Sequence, residues 1–195
     1  MSNNEIFNAV CFSTNIEKFS SITIIKQYIM TANCNNVNYR NNNMVAFDHI
    51  LSLDDNSKVT HTSFFYEMIS FSKDNKVCDN SDCFIIFFDL EIETSIIELN
   101  KIITFIKCFS FEKKIVIIYF YNDENKICEN YTEEKLDEIL YDNNLNNFDS
   151  FKINIDSSDE LNEAVDSITK DIFDSKEEKN SNHNNSESNS ICFVF

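Results

Sequence analysis

The chain has 195 residues and a mass of 22.8 kDa, which is enough for one domain of ordinary size and a tail. Its 33 acidic residues against 16 basic ones give a formal charge of −17, a field that repels nucleic-acid phosphates, so we expect no nucleic-acid partner. The seven cysteines form no CxxC pair, which favours free thiols in a reducing compartment over disulfides or zinc.

Two amino acids are missing from the chain, glycine and proline, while asparagine is abundant. Asparagine and aspartate tolerate left-handed backbone, so we expect them to form the turns. A phosphate site that depends on glycine for close backbone approach cannot be built in the usual way. The first residues lack the regions of a signal peptide and no apolar run reaches about 18 residues, so we expect a cytoplasmic protein.

Apolar runs of strand length alternate with segments of helical period along the chain. The first run, 6–12 (IFNAVCF), predicts a strand, and 19–30 (FSSITIIKQYIM) predicts a helix with its apolar residues on one face. A polar stretch follows at 31–43. Residues 45–53 and 59–65 then predict two strands of a hairpin, joined through Asp and Asn residues.

The second half of the chain continues the same alternation. Residues 67–77 predict a short helix, 83–88 (CFIIFF) a strand buried on both faces, and 93–109 a long helix. The remaining predicted elements are a strand at 115–121, a helix at 132–141 with Thr132 as its N-cap, a strand at 151–155 and a last helix from Ser158 or Asp159.

This order predicts an α/β fold: a six-stranded, mostly parallel sheet with one antiparallel edge strand and about five helices on both faces. We expect the domain to span 1–174. Residues 175–190 contain no apolar residue to bury, which predicts a disordered polar tail over 175–195.

Three segments carry a resemblance to a known family. Ser13-Thr14-Asn15-Ile16-Glu17-Lys18-Phe19-Ser20 joins the first strand to the first helix, and Phe120-Tyr121-Asn122-Asp123 ends the strand at 115–121. Asp89 follows the strand at 83–88 and precedes Thr94-Ser95-Ile96. In this order, with a polar tail and a terminal cysteine box, the whole chain resembles the Ras superfamily of small GTPases.

The resemblance implies a GxxxxGK[ST] phosphate loop before the first helix, and only Ser20 matches it. Ser20 is therefore the candidate magnesium and nucleotide residue. Lys18 replaces a glycine and Phe19 stands at the lysine position, so Lys18 is the candidate for phosphate charge. An ordinary hydroxyl in the first helical turn is the alternative interpretation of Ser20.

The family's other motifs are largely changed. The threonine before the second strand maps to Asn42, and the DxxGQ motif maps near 63–67 without its aspartate, glycine or glutamine. At the guanine-reading NKxD motif only Asp123 matches, and Tyr121 is a candidate for stacking on the base. An aspartate that ends a strand is also a common turn residue. The SAK stretch maps to 154–156 with no identity.

The chain ends in Cys192-Phe193-Val194-Phe195, which fits a C-a-a-X box, and a terminal Phe favours geranylgeranylation of Cys192. The alternative is an apolar plug that docks onto the domain. The tail has no polybasic stretch, and Glu177 and Glu178 offset Lys176 and Lys179, so we expect a reversible or partner-dependent membrane anchor.

Together these features favour a prenylated pseudo-GTPase in membrane-associated signalling or trafficking, with protein effectors or regulators as partners. GTP or GDP with Mg²⁺ is the cofactor that the resemblance implies, with weak or absent binding and no catalytic residue to name. The alternatives are an active atypical small GTPase and an unrelated doubly wound domain of flavodoxin or receiver type. His49 and His61 could meet across the hairpin, but two histidines alone favour surface positions over a metal site.

Overall fold

Seven strands and five α-helices are present in the described part of the chain. The structure is a computed structural model that describes residues 5–32, 34–40, 43–52, 58–68, 76–109, 113–143, 145 and 148–187. The elements are β1 Glu5–Ser13, α1 Ser21–Thr31, β2 Cys34–Arg40, β3 Met44–Ser52, β4 Lys58–Glu67, α2 Lys76–Asp79, β5 Cys83–Asp89, α3 Ser95–Ile106, β6 Lys114–Tyr121, a 3₁₀ turn Glu124–Lys126, α4 Glu133–Asp142, β7 Phe148–Asn154 and α5 Ser158–Glu187.

All seven strands form one sheet in the order β2-β3-β4-β1-β5-β6-β7. The pairs from β4 through β1, β5 and β6 to β7 are parallel, whereas β3 runs antiparallel to both β2 and β4. The predicted hairpin is confirmed as β3 and β4, paired from Met44 opposite Tyr66 to Ser52 opposite Lys58. Its predicted turn at 54–57 lies outside the described residues.

The core lies on both faces of the sheet, because β5 and most of β6 are buried on both sides. Alternate residues of β1 face opposite layers. Phe7, Ala9 and Cys11 belong to the cluster that includes α1 and α5, whereas Val10 and Phe12 belong to the cluster that includes α3 and α4. The predicted α/β class with helices on both faces is therefore confirmed.

The sheet has a seventh strand, β2, where the sequence predicts only a polar stretch at 31–43. Residues 35–40 of β2 are all exposed, so the strand carries no apolar alternation that a sequence pattern could detect. Backbone pairing to β3 forms it, with an irregular register between Asn35 and Asn38 and a left-handed Asn36. The expected six-stranded sheet is corrected to seven, with the antiparallel β3 flanked by this added edge strand.

Two helix predictions differ from the structure. Of the short helix expected at 67–77, Glu67 instead ends β4, and residues 76 and 77 belong to α2; residues 69–75 lie outside the described chain. The last helix continues to Glu187, beyond the expected domain end at 174. Its extension contains no glycine or proline that would stop the helix. Residues 188–195, including Cys192, lie outside the described part.

Candidate functional site

The carboxyl ends of the parallel strands β1, β5 and β6 meet at one edge of the sheet, where α1 also begins. In open α/β sheets this edge is where ligands bind. The loop 14–20 between β1 and α1 lies at its centre. The candidate site is therefore this loop together with the residues that follow β4, β5 and β6.

The loop 14–20 is held closed by contacts within the chain. Ser13 Oγ donates to Phe19 O at 2.6 Å, and Asn15 Nδ2 donates to Asp89 Oδ2 at 2.7 Å. Thr14 N donates to Phe87 O at 3.0 Å. Among the described residues only Asn36 has a positive φ, so the loop lacks the alternating right- and left-handed backbone of an anion-binding nest.

The start of α1 is occupied by the chain's own oxygens. Ser20 is the N-cap, and its hydroxyl accepts from Thr23 N at 3.2 Å. The carboxylate of Glu67, only 6% exposed, accepts from Ser21 Oγ at 2.8 Å and from Ile22 N at 3.4 Å. Helix N-termini attract anions, and here the anion is the side chain of Glu67, the last residue of β4.

Glu91 connects the loop to the end of β6. Its Oε1 accepts from the backbone N–H groups of Asn122 at 2.7 Å and Asp123 at 2.6 Å. Its Oε2 lies 3.9 Å from Lys18 Nζ, in an ion pair in which the Lys18 side chain is about half exposed. Lys18 Nζ also lies 4.8 Å from the Phe19 ring centroid. The cation of the loop is therefore paired within the chain.

Asp123 acts as a turn residue in the structure. It caps the 3₁₀ turn, and its Oδ1 accepts from the backbone and side-chain nitrogens of Asn125, each at 3.1 Å. Hydrogen bonds from Asn125 and the ammonium of Lys126 hold the pKa of Asp123 below its usual value. The turn interpretation explains all of these contacts.

Tyr121 is half-buried at the end of β6. Lys152 Nζ lies 5.5 Å from the centroid of its ring. Partial burial, followed by the charges of Glu160 and Glu124, raises the pKa of its hydroxyl. The ring proposed for base stacking already has a cation near it.

Two of the predicted site residues thus contact the carboxylate of Glu91: Lys18 through its ammonium and Asp123 through its backbone N–H. Ser20 lies at the helix start and Tyr121 at the strand end, while Asn42 lies outside the described residues. Sequence reasoning missed the importance of Glu67 and Glu91. Glu67 follows the apolar run of β4 and could have been found as an acid at a strand's carboxyl end, whereas nothing in the pattern singles out Glu91.

The two hairpin histidines, His49 and His61, are ladder partners, so the predicted proximity is confirmed at the backbone. The sequence favoured a surface position for His49, and this expectation is wrong. His49 is 4% exposed and lies beneath α1 and α5. The other ladder partner of His49 is Cys34. Burial, followed by the charge of Asp166, raises the pKa of the Cys34 thiol to about 12, which is opposite to the activation of a nucleophile.

Within the described ranges no group of three or more His, Cys, Asp or Glu side chains is placed to hold a metal ion. In the same ranges no helix has the length and apolarity needed to cross a membrane. Fold and site define a doubly wound α/β domain. At the carboxyl edge of its sheet, the carboxylates of Asp89, Glu67 and Glu91 each accept hydrogen bonds from within the chain. No protein-family model and no curated protein matches the chain.

Proposed function

We propose that this chain is a Ras-like domain that acts through protein–protein contacts rather than as a nucleotide-timed switch. The order of elements supports the Ras-like assignment: a strand, a helix, an early antiparallel hairpin and then three strand–helix units. The position of the loop 14–20 between β1 and α1 is where the resemblance expects a phosphate loop. The extra strand β2 is an addition to that pattern.

The observation that carries the loss of nucleotide binding is the carboxylate of Glu67 at the start of α1. A phosphate group at this helix end would displace it from Ser21 Oγ and Ile22 N and would stand beside its charge. Asp89 and Glu91 add two more carboxylates to the same edge, and Lys18 is already paired with Glu91. Electrostatics at this edge therefore oppose a polyphosphate ligand.

The test is the nucleotide content of the purified protein. The full chain is purified without added nucleotide, denatured, and its supernatant chromatographed beside an active small GTPase prepared in the same way. We expect far less than one nucleotide per chain, and no saturable binding of fluorescent GDP with Mg²⁺. Stoichiometric GDP or GTP in the supernatant would contradict the proposal.

One observation favours the alternative, an active atypical GTPase. The Ser21 hydroxyl and the Glu67 carboxylate are 2.8 Å apart at the loop edge, and both are oxygen ligands of the kind that Mg²⁺ accepts. Under this alternative Glu67→Ala and Ser21→Ala lose bound nucleotide that the unchanged protein carries. Under the pseudo-GTPase proposal there is no nucleotide to lose, so the same measurement separates the two.

Membrane attachment through a geranylgeranyl group on Cys192 belongs to the same proposal. Its support is the C-a-a-X spacing at the end of a polar segment. Since the tail offers no cluster of basic residues, one isoprenoid chain supplies most of the membrane affinity and the protein exchanges between membrane and solution.

A further inference from the structure

Three polar side chains from three elements meet beneath the β2–β3 edge of the sheet. Tyr28 of α1 and His49 of β3 are buried, and Asp166 of α5 has its side chain 47% exposed. The Tyr28 hydroxyl donates to Asp166 Oδ1 at 2.7 Å. It also lies 3.1 Å from Nε2 and 3.2 Å from Nδ1 of His49. These contacts are separate from the loop edge described above.

The burial of His49 favours a neutral imidazole, which still has the one N–H that a hydrogen bond to Tyr28 requires. Burial, followed by the hydrogen bond to Asp166 and the charge of Asp166, raises the pKa of Tyr28 far above its usual value. The phenol therefore keeps its proton and donates a hydrogen bond to Asp166. The Tyr28 oxygen is then an acceptor for an imidazole N–H. The Tyr28 ring also packs edge to face with the imidazole, at 5.6 Å between centroids.

Titratable groups near His49 lie on α5, α1, β2 and β4. Asp166 on α5 is the acid, with its Oδ1 3.5 Å from Nε2. Tyr28 on α1 and Cys34 on β2 are neutral at physiological pH because both have raised pKa values. His61 is the ladder partner on β4. Burial lowers the pKa of His49 below its usual 6.5, and the opposing effect of Asp166 is smaller.

The edge of the sheet is the part of this region that can open at least cost. β2 is the end strand of the sheet, and residues 35–40 are exposed, so its release uncovers little apolar surface. Cys34, directly opposite His49, is the half-buried residue of β2. Detaching this strand and the adjoining part of β3 would let water reach the imidazole without disturbing β5 and β6.

We propose that Tyr28, His49 and Asp166 form a pH-sensitive latch: the neutral imidazole holds the β2–β3 edge against α1 and α5, and protonation of the imidazole releases that edge. A group that titrates lower in the closed state than in the open state favours opening as the pH falls. The closed edge is fully favoured above pH 6.5 and loses stability as the pH falls from 6.5 toward the lower pKa of buried His49. Each unit between the two pKa values changes the open-to-closed ratio by about tenfold.

Hydrogen exchange of the full chain at pH 7.5 and 5.5, corrected for the intrinsic effect of pH and read by mass spectrometry, tests the latch. We expect protection of peptides from β2 and β3 to fall at pH 5.5, by up to about tenfold, while β5 peptides keep theirs as an internal reference. His49→Gln, which cannot be protonated, should abolish this difference between the two pH values. Equal edge protection at both pH values in the unchanged protein would overturn the proposal.

His61→Gln is the matched control, because His61 is the ladder partner of His49 and the proposed latch does not include it. The His61→Gln variant should retain the pH response of the unchanged protein. If this variant alone loses the response, His61 is the group that titrates, and the latch is refuted. The chain has three histidines, so their ring signals can be assigned by NMR. If His49→Gln does not fold, the unchanged protein is titrated instead. A His49 ring signal with a midpoint below pH 6.5, and β2 amide signals that change over the same pH range, would support the latch. Titration at or above 6.5 would overturn it.

Discussion

At the scale of single residues, Glu67 is the side chain that most changes the meaning of the candidate site. It ends β4, is almost fully buried, and accepts hydrogen bonds from a side chain and a backbone N–H at the start of α1. A buried carboxylate is costly unless it is hydrogen-bonded, and the helix dipole adds a further favourable interaction. The contact of Glu67 with the start of α1 therefore stabilises the fold and also excludes other anions from this helix end.

Replacement of Glu67 by Gln keeps the size of the side chain and removes its charge. We expect the free energy of unfolding to fall by about 1–2 kcal/mol, because two hydrogen bonds to a charged acceptor and a helix-end interaction weaken. Urea unfolding followed by far-ultraviolet circular dichroism measures the change. Glu129→Gln is the control at an exposed position and should stay within about 0.5 kcal/mol. Equal unfolding midpoints for the two variants would show that the charge of Glu67 contributes nothing.

At the scale of elements, the start of α1 distinguishes two roles for Ser20. As an N-cap, its hydroxyl satisfies Thr23 N, so Ser20→Ala should cost about 1 kcal/mol in unfolding free energy in the absence of any ligand. Thr94, the N-cap of α3, makes no capping hydrogen bond through its side chain and is the matched control. Thr94→Ala should be near neutral. A Ser20→Ala variant as stable as Thr94→Ala would remove the capping interpretation.

Most elements of the fold could be predicted because their apolar residues repeat with a clear period. The α5 residues Leu161, Val165 and Ile168 recur at helical spacing and are buried together. Thr132 was expected as the N-cap of α4, and its hydroxyl accepts from Lys135 N at 3.4 Å. Element order then determined which strands had to be parallel. These features depend on local patterns that a single sequence contains.

Other features depend on contacts between distant parts of the chain. β2 is formed by backbone pairing to β3 and buries almost none of its side chains, so no periodicity marks it. Glu67 and Glu91 gain their roles from partners 45 and 31 residues away. Of the candidate site residues, Ser20 at the start of α1 and Asp123 after β6 both make capping contacts in the structure.

Within β2, Asn36 has φ 51°, the left-handed region in which glycine is free of strain and alanine is not. Asn36→Ala and Asn36→Gly both remove the hydrogen bond to Asp48 Oδ2, so their difference isolates the backbone. We expect the Gly variant to be more stable by about 1 kcal/mol in thermal or urea unfolding. At Asn38, outside the left-handed region, the same pair of substitutions should favour Ala. If the Ala variant is the more stable one at both positions, the left-handed backbone at Asn36 is contradicted.

At the scale of the whole molecule, the charge of −17 and the proposed lipid anchor act in opposite directions. Anionic membrane surfaces repel an acidic body, and the tail supplies no basic cluster to compensate. The proposed isoprenoid would therefore supply the membrane affinity by itself. Salt screens the opposing electrostatic repulsion, with a Debye length of about 8 Å at physiological ionic strength. This balance predicts an attachment that is weak and sensitive to ionic strength.

The anchor is tested by Cys192→Ser in cells that prenylate C-a-a-X proteins. We expect the unchanged chain to divide between membrane and soluble fractions, with its membrane share growing as salt is raised from low to physiological strength, because screening reduces the repulsion. Cys192→Ser should be wholly soluble, since the thioether to the isoprenoid cannot form. Cys108→Ser, at an exposed cysteine of the domain, is the control and should fractionate as the unchanged chain does. If Cys192→Ser and Cys108→Ser distribute alike, Cys192 carries no anchor, and the apolar end of the chain must be explained as a segment that docks on protein.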